Sequence, residues 1–204
     1  MEIISLISDN YRSNTYLVAS DNKCYIIDPG MPSETIINAI SDHGLTPIGI
    51  LLTHGHFDHI FSLDDLREFY KIPVYIHEND AEMLTDSEKN AYSLFFGGSF
   101  TAKKPENLLN DGDTLKVGNE QLTVRHTPGH SRGSCCYLSE KIIITGDTLF
   151  SCGIGRTDLY GGNGPELFKN LFLLREIPGA KDLTIYPGHG NSATLSDALD
   201  NSIY

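Results

Sequence analysis

The stretch His54-Gly55-His56-Phe57-Asp58-His59 constrains this chain more than any other. It places four side chains able to bind a metal within six residues. The run before it, Ile48 to Thr53, carries no charge and reads as a short buried strand. The run after it, Ile60 to Tyr70, has apolar residues at helical spacing. The cluster therefore falls on a strand-to-helix loop anchored at both ends. His54 and His56, two residues apart, point to the same side of an extended segment, and Gly55 permits a sharp turn between them. Asp58 and His59 are expected to open the helix, where an acidic group suits the positive end of the helix dipole. The chain has 8 histidines in 204 residues, so three of them inside six positions are more than a surface loop collects by chance.

Three further candidates stand singly at the ends of expected strands, each beside a glycine. They are His130 in Thr127-Pro128-Gly129-His130, Asp147 in Thr145-Gly146-Asp147-Thr148, and His189 in Pro187-Gly188-His189-Gly190. A lone histidine on a turn is as readily a cap as a ligand. Strand ends along one edge of two sheets converge, however, and that is how distant residues assemble one site. The resulting set, His54, His56, Asp58, His59, His130, Asp147 and His189, contains no cysteine. Nitrogen and oxygen donors suit zinc, iron or manganese. Seven ligands exceed what one tetrahedral ion needs; two divalent transition-metal ions sharing a carboxylate, about 3.5 Å apart, use them all.

The remaining pattern places these positions in a fold. Strands are expected at 2–7, 14–20, 24–27, 48–53, 73–77, 114–117, 121–126, 134–138, 141–145 and 183–186. Helices are expected from a Ser33 cap to His43, over 60–70, over 165–176, and at the C-terminus. Residues 85–110 lack periodicity but carry Tyr92, Phe95, Phe96 and Phe100, which suits a lid or binding loop. Each half runs strands first and helices after. We read an α+β chain, a four-layer αβ/βα sandwich of two stacked mixed sheets with outer helices. It forms one domain over 1–204, with halves of about 1–110 and 111–204.

Composition narrows the function. A net charge of −12 argues against nucleic acid or an anionic membrane as the main partner. No apolar run approaches the roughly 18 residues of a membrane span, and the first ten residues lack the basic and apolar regions of a signal peptide. Cys24, Cys135, Cys136 and Cys152 show no Cys-x-x-Cys spacing, which fits reduced thiols in a cytoplasmic protein.

The pattern His54-x-His56-x-Asp58-His59, followed by His130, Asp147 and His189, resembles the metallo-β-lactamase superfamily over nearly the whole chain. The resemblance implies that His54, His56 and His130 hold one metal. It implies that Asp58, His59 and His189 hold a second, most often zinc, with Asp147 bridging. Within the superfamily, Gly146-Asp147-Thr148-Leu149-Phe150 and Gly153-Ile154-Gly155-Arg156-Thr157-Asp158-Leu159 look most like the glyoxalase II (hydroxyacylglutathione hydrolase) branch in its shorter bacterial form. An aspartate at the bridging position points away from antibiotic hydrolysis. The implied reaction is hydrolysis of a small-molecule thioester, such as a hydroxyacyl-glutathione, by a metal-bound hydroxide, with Asp58 as the catalytic carboxylate. Members of that branch carry basic residues on a C-terminal helical extension, and this sequence ends at Tyr204. Its best-placed cation for a carboxylate-bearing carrier is Arg156, with Lys103 and Lys104 in reserve. The alternatives are a mononuclear-iron persulfide dioxygenase on the same scaffold, a hydrolase of another ester or thioester, and a non-enzymatic metal binder. His43 reads as a helix C-terminal dipole partner, His77 and His126 as strand-end histidines with a structural role ahead of one in backing the site, and Cys152 as a thiol with no base beside it.

Overall fold

Alternate residues of the central strands point to opposite sides, and the two sides bury different surfaces. In the computed structural model, which describes residues 1–8 and 12–202, Tyr16 and Val18 of β2 (Thr15–Ser20) face one core and Leu17 faces another. In β3 (Lys23–Ile27), Tyr25 and Ile27 join the first core and Ile26 the second. In β10 (Ile142–Gly146), Ile142 and Ile144 face the first core and Ile143 a third. A strand buried on both faces cannot alternate polar and apolar residues, and β10 is buried at every position.

The first sheet runs in chain order from β1 (Glu2–Leu6) through β2, β3, β4 (Thr46–Leu51) and β5 (Val74–His77) to β6 (Asn107–Leu109). The second is ordered β12 (Ala193–Thr194), β11 (Thr184–Pro187), β10, β9 (Cys135–Leu138), β8 (Glu120–His126), β7 (Thr114–Val117). Both are mixed: β3, β4, β5 and β6 are parallel neighbours, as are β10 and β11, while the other pairs are antiparallel. The first core lies between the sheets. The second is closed by Ile36 and Ile40 of α1 (Ser33–Asp42) with Leu63 and Leu66 of α2 (Leu63–Tyr70). The third is closed by Leu171 and Leu174 of α4 (Gly164–Arg175) with Leu195, Ala198 and Leu199 of α5 (Leu195–Asp200). The layers are helix, sheet, sheet, helix, as the α+β sandwich expectation requires.

Several boundaries differ from the sequence reading. The helix expected from residue 60 begins at Leu63, because Ser62 is tied back to the loop after β3. Its N–H donates to the Pro29 carbonyl at 2.9 Å and its hydroxyl to the Met31 carbonyl at 2.7 Å. Asp58 and His59 therefore lie in a separate 3-10 turn, Phe57–His59. Pro32, not Ser33, takes the cap position of α1, and no side chain caps that end. The segment 85–110 holds a short helix, α3 (Tyr92–Phe96), and β6. Its periodicity is absent because β6 has three residues and α3 five. Residues 9–11 and 203–204, within the expected domain span of 1–204, lie outside the described residues. Among the described residues, no helix is long and apolar enough to cross a membrane.

The parallel strands β3, β4, β10 and β11 all end at one edge, and hydrogen bonds lock the two sheets together there. Cys135 N–H donates to the Thr53 carbonyl at 2.9 Å, and the Tyr137 hydroxyl to the Leu52 carbonyl at 2.7 Å. Asn14, buried before β2, donates through its amide to the carbonyls of Pro187 (3.0 Å) and Gly190 (2.8 Å) and accepts the Ser8 N–H. It thereby ties the first sheet to the loop that carries His189. Removing a buried partner strands the groups it satisfied. Asn14→Ala is therefore expected to lower unfolding free energy by ~1–3 kcal/mol in a denaturant titration, whereas a change below about 0.5 kcal/mol would show that this tie contributes little.

Candidate metal centre

Each element that ends at this edge delivers one or more donors. His54, His56, Asp58 and His59 follow β4, His130 lies between β8 and β9, Asp147 follows β10 and His189 follows β11. Gly146, at φ +49°, makes the turn that aims Asp147, and a side chain there would strike Thr53. Gly188 lets the His189 loop pass against Asp147 and His59, where a Cβ would collide with both.

The donors fall into two groups joined by Asp147. In the first, His56 Nδ1 lies 2.9 Å from His130 Nε2, which lies 3.2 Å from His54 Nε2. In the second, Asp58 Oδ2 lies 3.2 Å from His189 Nε2 and 3.7 Å from His59 Nε2. Asp147 reaches both: its Oδ1 is 3.3 Å from His59 Nε2, and its Oδ2 is 3.6 Å from both His130 Nε2 and His189 Nε2. The sets His54–His56–His130, His54–His59–Asp147 and Asp58–His59–His189 each bring their donor atoms within 4.8 Å of one another. All seven residues singled out from the sequence thus meet in one place.

Two observations show that this set fits metal ions. His56 Nε2, His59 Nε2 and Asp147 Oδ1 are buried without a hydrogen bond, an arrangement that a structural core rarely tolerates. Ring nitrogens of three histidines also crowd together, although burial, aided by neighbouring imidazoles, holds His54 well below its ordinary pKa and His56 down to about 3. Neutral rings with converging lone pairs are what a cation requires. In the second group burial also disfavours charge, but carboxylates prevail. Asp58, Asp28 and Asp147 hold His59 well above its ordinary value, and Asp58 and Asp147 raise His189. Burial acts against ionising Asp58 and Asp147, and the surrounding histidines overcome it and lower both carboxyl groups. An ion entering this second group competes with protons for His59 and His189, whose proton affinity these carboxylates raise.

A backing layer fixes the rings, and most of it escaped the sequence reading. Asp28, read only as part of a turn, accepts the Thr53 N–H at 2.7 Å, the Thr53 hydroxyl at 2.6 Å and the His59 Nδ1 proton at 2.9 Å. Its φ of +48°, unusual for a residue other than glycine, aims the carboxylate inward. The available signal was a carboxylate at the end of a strand whose last residue, Ile27, pairs with Leu51 just before the cluster. Asp80 gave no signal. Buried, it accepts the Gly55 N–H, the Ser131 hydroxyl and the Gly133 N–H, clamping the first histidine loop to the His130 loop. His130 Nδ1 lies 2.7 Å from the Arg156 carbonyl, which leaves Nε2 as the acceptor facing the cluster.

Other candidates lie elsewhere. His77 and His126 stack on each other at 3.9 Å and are not part of the donor groups. His43 caps the end of α1, with Nδ1 2.8 Å from the Ala39 carbonyl. Cys152 is exposed. Lys103 pairs with Glu68. The Arg156 guanidinium stands at the rim, held by Asp158 through contacts of 2.7 and 2.9 Å. The donors open into a cavity of about 250 Å³ lined also by Phe57, Ala91, Phe95, Phe96, Arg156 and Leu159. A larger cavity of about 850 Å³, lined by Lys116, Glu120 and Lys141, lies at the opposite ends of β8 and β10.

Comparison with known proteins gives the family and the fold. The family profile described as Metallo-beta-lactamase superfamily matches residues 9–189. The probable metallo-hydrolase YqgX of Bacillus subtilis is 41% identical, over 94% of this chain and 91% of that protein. The crystal structure of the BLEG-1 B3 metallo-beta-lactamase superposes with a TM-score of 0.90 at 35% identity, covering 98% of this chain and 97% of that one. The structure of TTHA1623 in a di-iron-bound form superposes at 0.84 with 29% identity, covering 98% of each chain.

The hydrogen bond from His59 to Asp28 gives the first test. Loss of a group that orients a ligand typically costs 10- to 100-fold in metal affinity. Asp28→Asn should weaken zinc retention by about that factor in competition with a chelator, while unchanged retention would mean that Asp28 serves only the backbone turn.

Proposed function

Because the chain belongs to the metallo-β-lactamase superfamily, we propose that it is a metal-dependent hydrolase of acyl compounds, with a thioester as substrate. The observation that carries this reading is the set of buried atoms without a hydrogen bond, His56 Nε2, His59 Nε2 and Asp147 Oδ1, among converging nitrogen and oxygen donors. His54, His56 and His130 would hold one ion; Asp58, His59 and His189 would hold a second, with Asp147 within reach of both. Zinc suits the donors, and the di-iron form of TTHA1623 supports iron as well. When bound, such ions lower the pKa of water towards about 7 and polarise a carbonyl.

This chain's own groups supply the rest. Asp58, held ionised by His59 and His189, faces the cavity and accepts a hydrogen bond from the attacking water, aiming its lone pair at the carbonyl carbon. Phe57, Ala91 and Leu159 exclude bulk water from one side. No cysteine is placed to form an acyl-enzyme: burial pushes the Cys136 thiol up to about 11 and Cys135 well above its usual value, and Cys152 stands outside the cavity lining. Water therefore attacks directly. Its oxygen bonds to the carbonyl carbon, the C–S bond breaks, and acid and thiol leave. Four free cysteines support a reducing, cytoplasmic setting for such a thiol product.

A second reading rests on BLEG-1, whose description as a B3 metallo-beta-lactamase brings opening of a β-lactam amide into range. The two differ in the bond cleaved and share the attacking water. A panel of acyl thioesters and a β-lactam on metal-replete protein separates them, with turnover of thioesters the expected outcome. Asp147→Asn should lower that turnover at least ~100-fold, since a neutral amide serves two cations poorly. Turnover of the β-lactam alone would favour the second reading, and near-normal rates in the Asp147→Asn variant would remove Asp147 from the site.

A further inference from the structure

The cavity above the donors is lined also by Phe95 and Phe96, which the proposed chemistry does not use. Phe57, inside the metal-binding motif, has its N–H held by the Asn90 carbonyl at 3.0 Å. Asn90 is fully buried; its side chain donates to the Phe100 carbonyl at 2.9 Å and accepts the Tyr92 N–H at 3.0 Å. This strut sets α3 against the Phe57 ring, whose centroid lies 5.8 Å from Tyr92, 5.9 Å from Phe95 and 5.4 Å from Phe96. Phe95 and Phe96 line the cavity, yet stay 49% and 53% exposed. A five-residue helix is not stable by propensity, and apolar rings left half-open beside a polar cluster mark a surface that something else covers.

The charges of the cavity point the same way. Apart from histidines, Arg156 is the only cationic side chain among the described residues lining it. Its guanidinium is occupied by Asp158 at 2.7 and 2.9 Å, and its Cζ stands 5.5 Å from the Phe95 ring. A carrier bearing carboxylates meets a neutralised ion pair there. A carbon chain or ring meets Phe95, Phe96, Ala91 and Leu159.

We propose that α3 is the specificity wall of this site. The substrate carries a short apolar chain or ring next to the bond that is cleaved, on a carrier without carboxylates. The inference rests on the reading of the cluster as a site of hydrolysis, in which R–CO–S–R′ and water give R–COOH and R′–SH. The cavity, at about 250 Å³, is smaller than the roughly 300–1,000 Å³ of sites for drug-sized ligands, so the apolar group is short.

The test uses metal-replete protein and two ladders. The first is turnover of acetyl, butyryl and hexanoyl thioesters on the neutral carrier N-acetylcysteamine and on glutathione. The second is calorimetric binding of non-hydrolysable S-alkyl thioethers of the same two carriers. Burial of each added methylene raises affinity up to about fourfold, so both ladders should rise about two- to fourfold per methylene, with no advantage for glutathione. Phe95→Ala should flatten each ladder below about twofold per methylene, Phe95→Leu should keep most of the slope, and Phe172→Ala, on an exposed position of α4 outside the cavity lining, should leave the slope unchanged. Flat ladders in the wild-type protein, or a preference for glutathione conjugates that disappears in Arg156→Ala, would overturn the proposal. A rising binding ladder without thioester turnover would sustain the wall and refute the hydrolase reading instead; turnover with flat ladders would do the reverse.

Discussion

The Asp28 carboxylate receives the Thr53 N–H at 2.7 Å, its hydroxyl at 2.6 Å and the His59 ring at 2.9 Å, all away from water. A polar group so deeply placed is costly unless it is fully hydrogen-bonded. Here its partners are the end of β4 and the 3-10 turn after it, so Asp28 and the loop that carries four donors stabilise each other. The protonated His59 that results is the partner against which Asp58 and Asp147 stay ionised. The two sheets are then obliged to meet at this edge, since Asp147 and His189 come from the second sheet and Asp28 and His59 from the first.

Such a site is assembled against stability. Three polar atoms in its centre, His56 Nε2, His59 Nε2 and Asp147 Oδ1, are buried without a hydrogen bond, and non-glycine residues at positive φ, Asp28 and Ala91, stand next to it. The compensation lies in three layers of core and in buried clamps. Asp80 binds the loops of His54–His59 and His130 to each other, and Asn14 binds the first sheet to the His189 loop. These clamps hold backbone, not substrate. The cavity side of the site is left to Asp58, Asp147, His189 and the aromatic wall of α3, all partly exposed.

The donors were legible in the sequence because metal binding needs rare residue types in a tight spacing, and because glycine marks the turns that deliver His130, Asp147 and His189. The sandwich was legible for a related reason: strands buried on both faces, such as Ile142–Gly146, read as short unbroken apolar runs. The backing layer was not legible. Asp28 before Pro29 and Gly30 looks like any turn, and Asp80 sits among Glu78, Asn79 and Glu82 as one of several polar residues on a loop. What distinguishes both is burial against distant chain segments, Thr53 for one and Ser131 for the other, and nothing local records that. The strands β6 and β12, of three and two residues, exist through pairing with β5 and β11 and not through their own pattern. Arg156 shows the same limit at the level of a single side chain. Its carbonyl supports His130, while the state of its guanidinium depends on Asp158 two residues on.

The central claim is that the seven donors form two linked binding groups, one in which burial lowers the pKa of His54 and His56 and one in which carboxylates raise that of His59 and His189. Titrating chelator-treated protein with zinc or iron(II), at pH 7.5 and again at pH 6, tests this directly. The account predicts two ions per chain, one of them bound more weakly at the lower pH. His59 and His189, whose pKa values are raised in the folded protein, must give up protons to bind it, and that release becomes harder as pH falls. A stoichiometry of one ion per chain at both pH values, above all one iron accompanied by oxygen uptake with a persulfide, would contradict it.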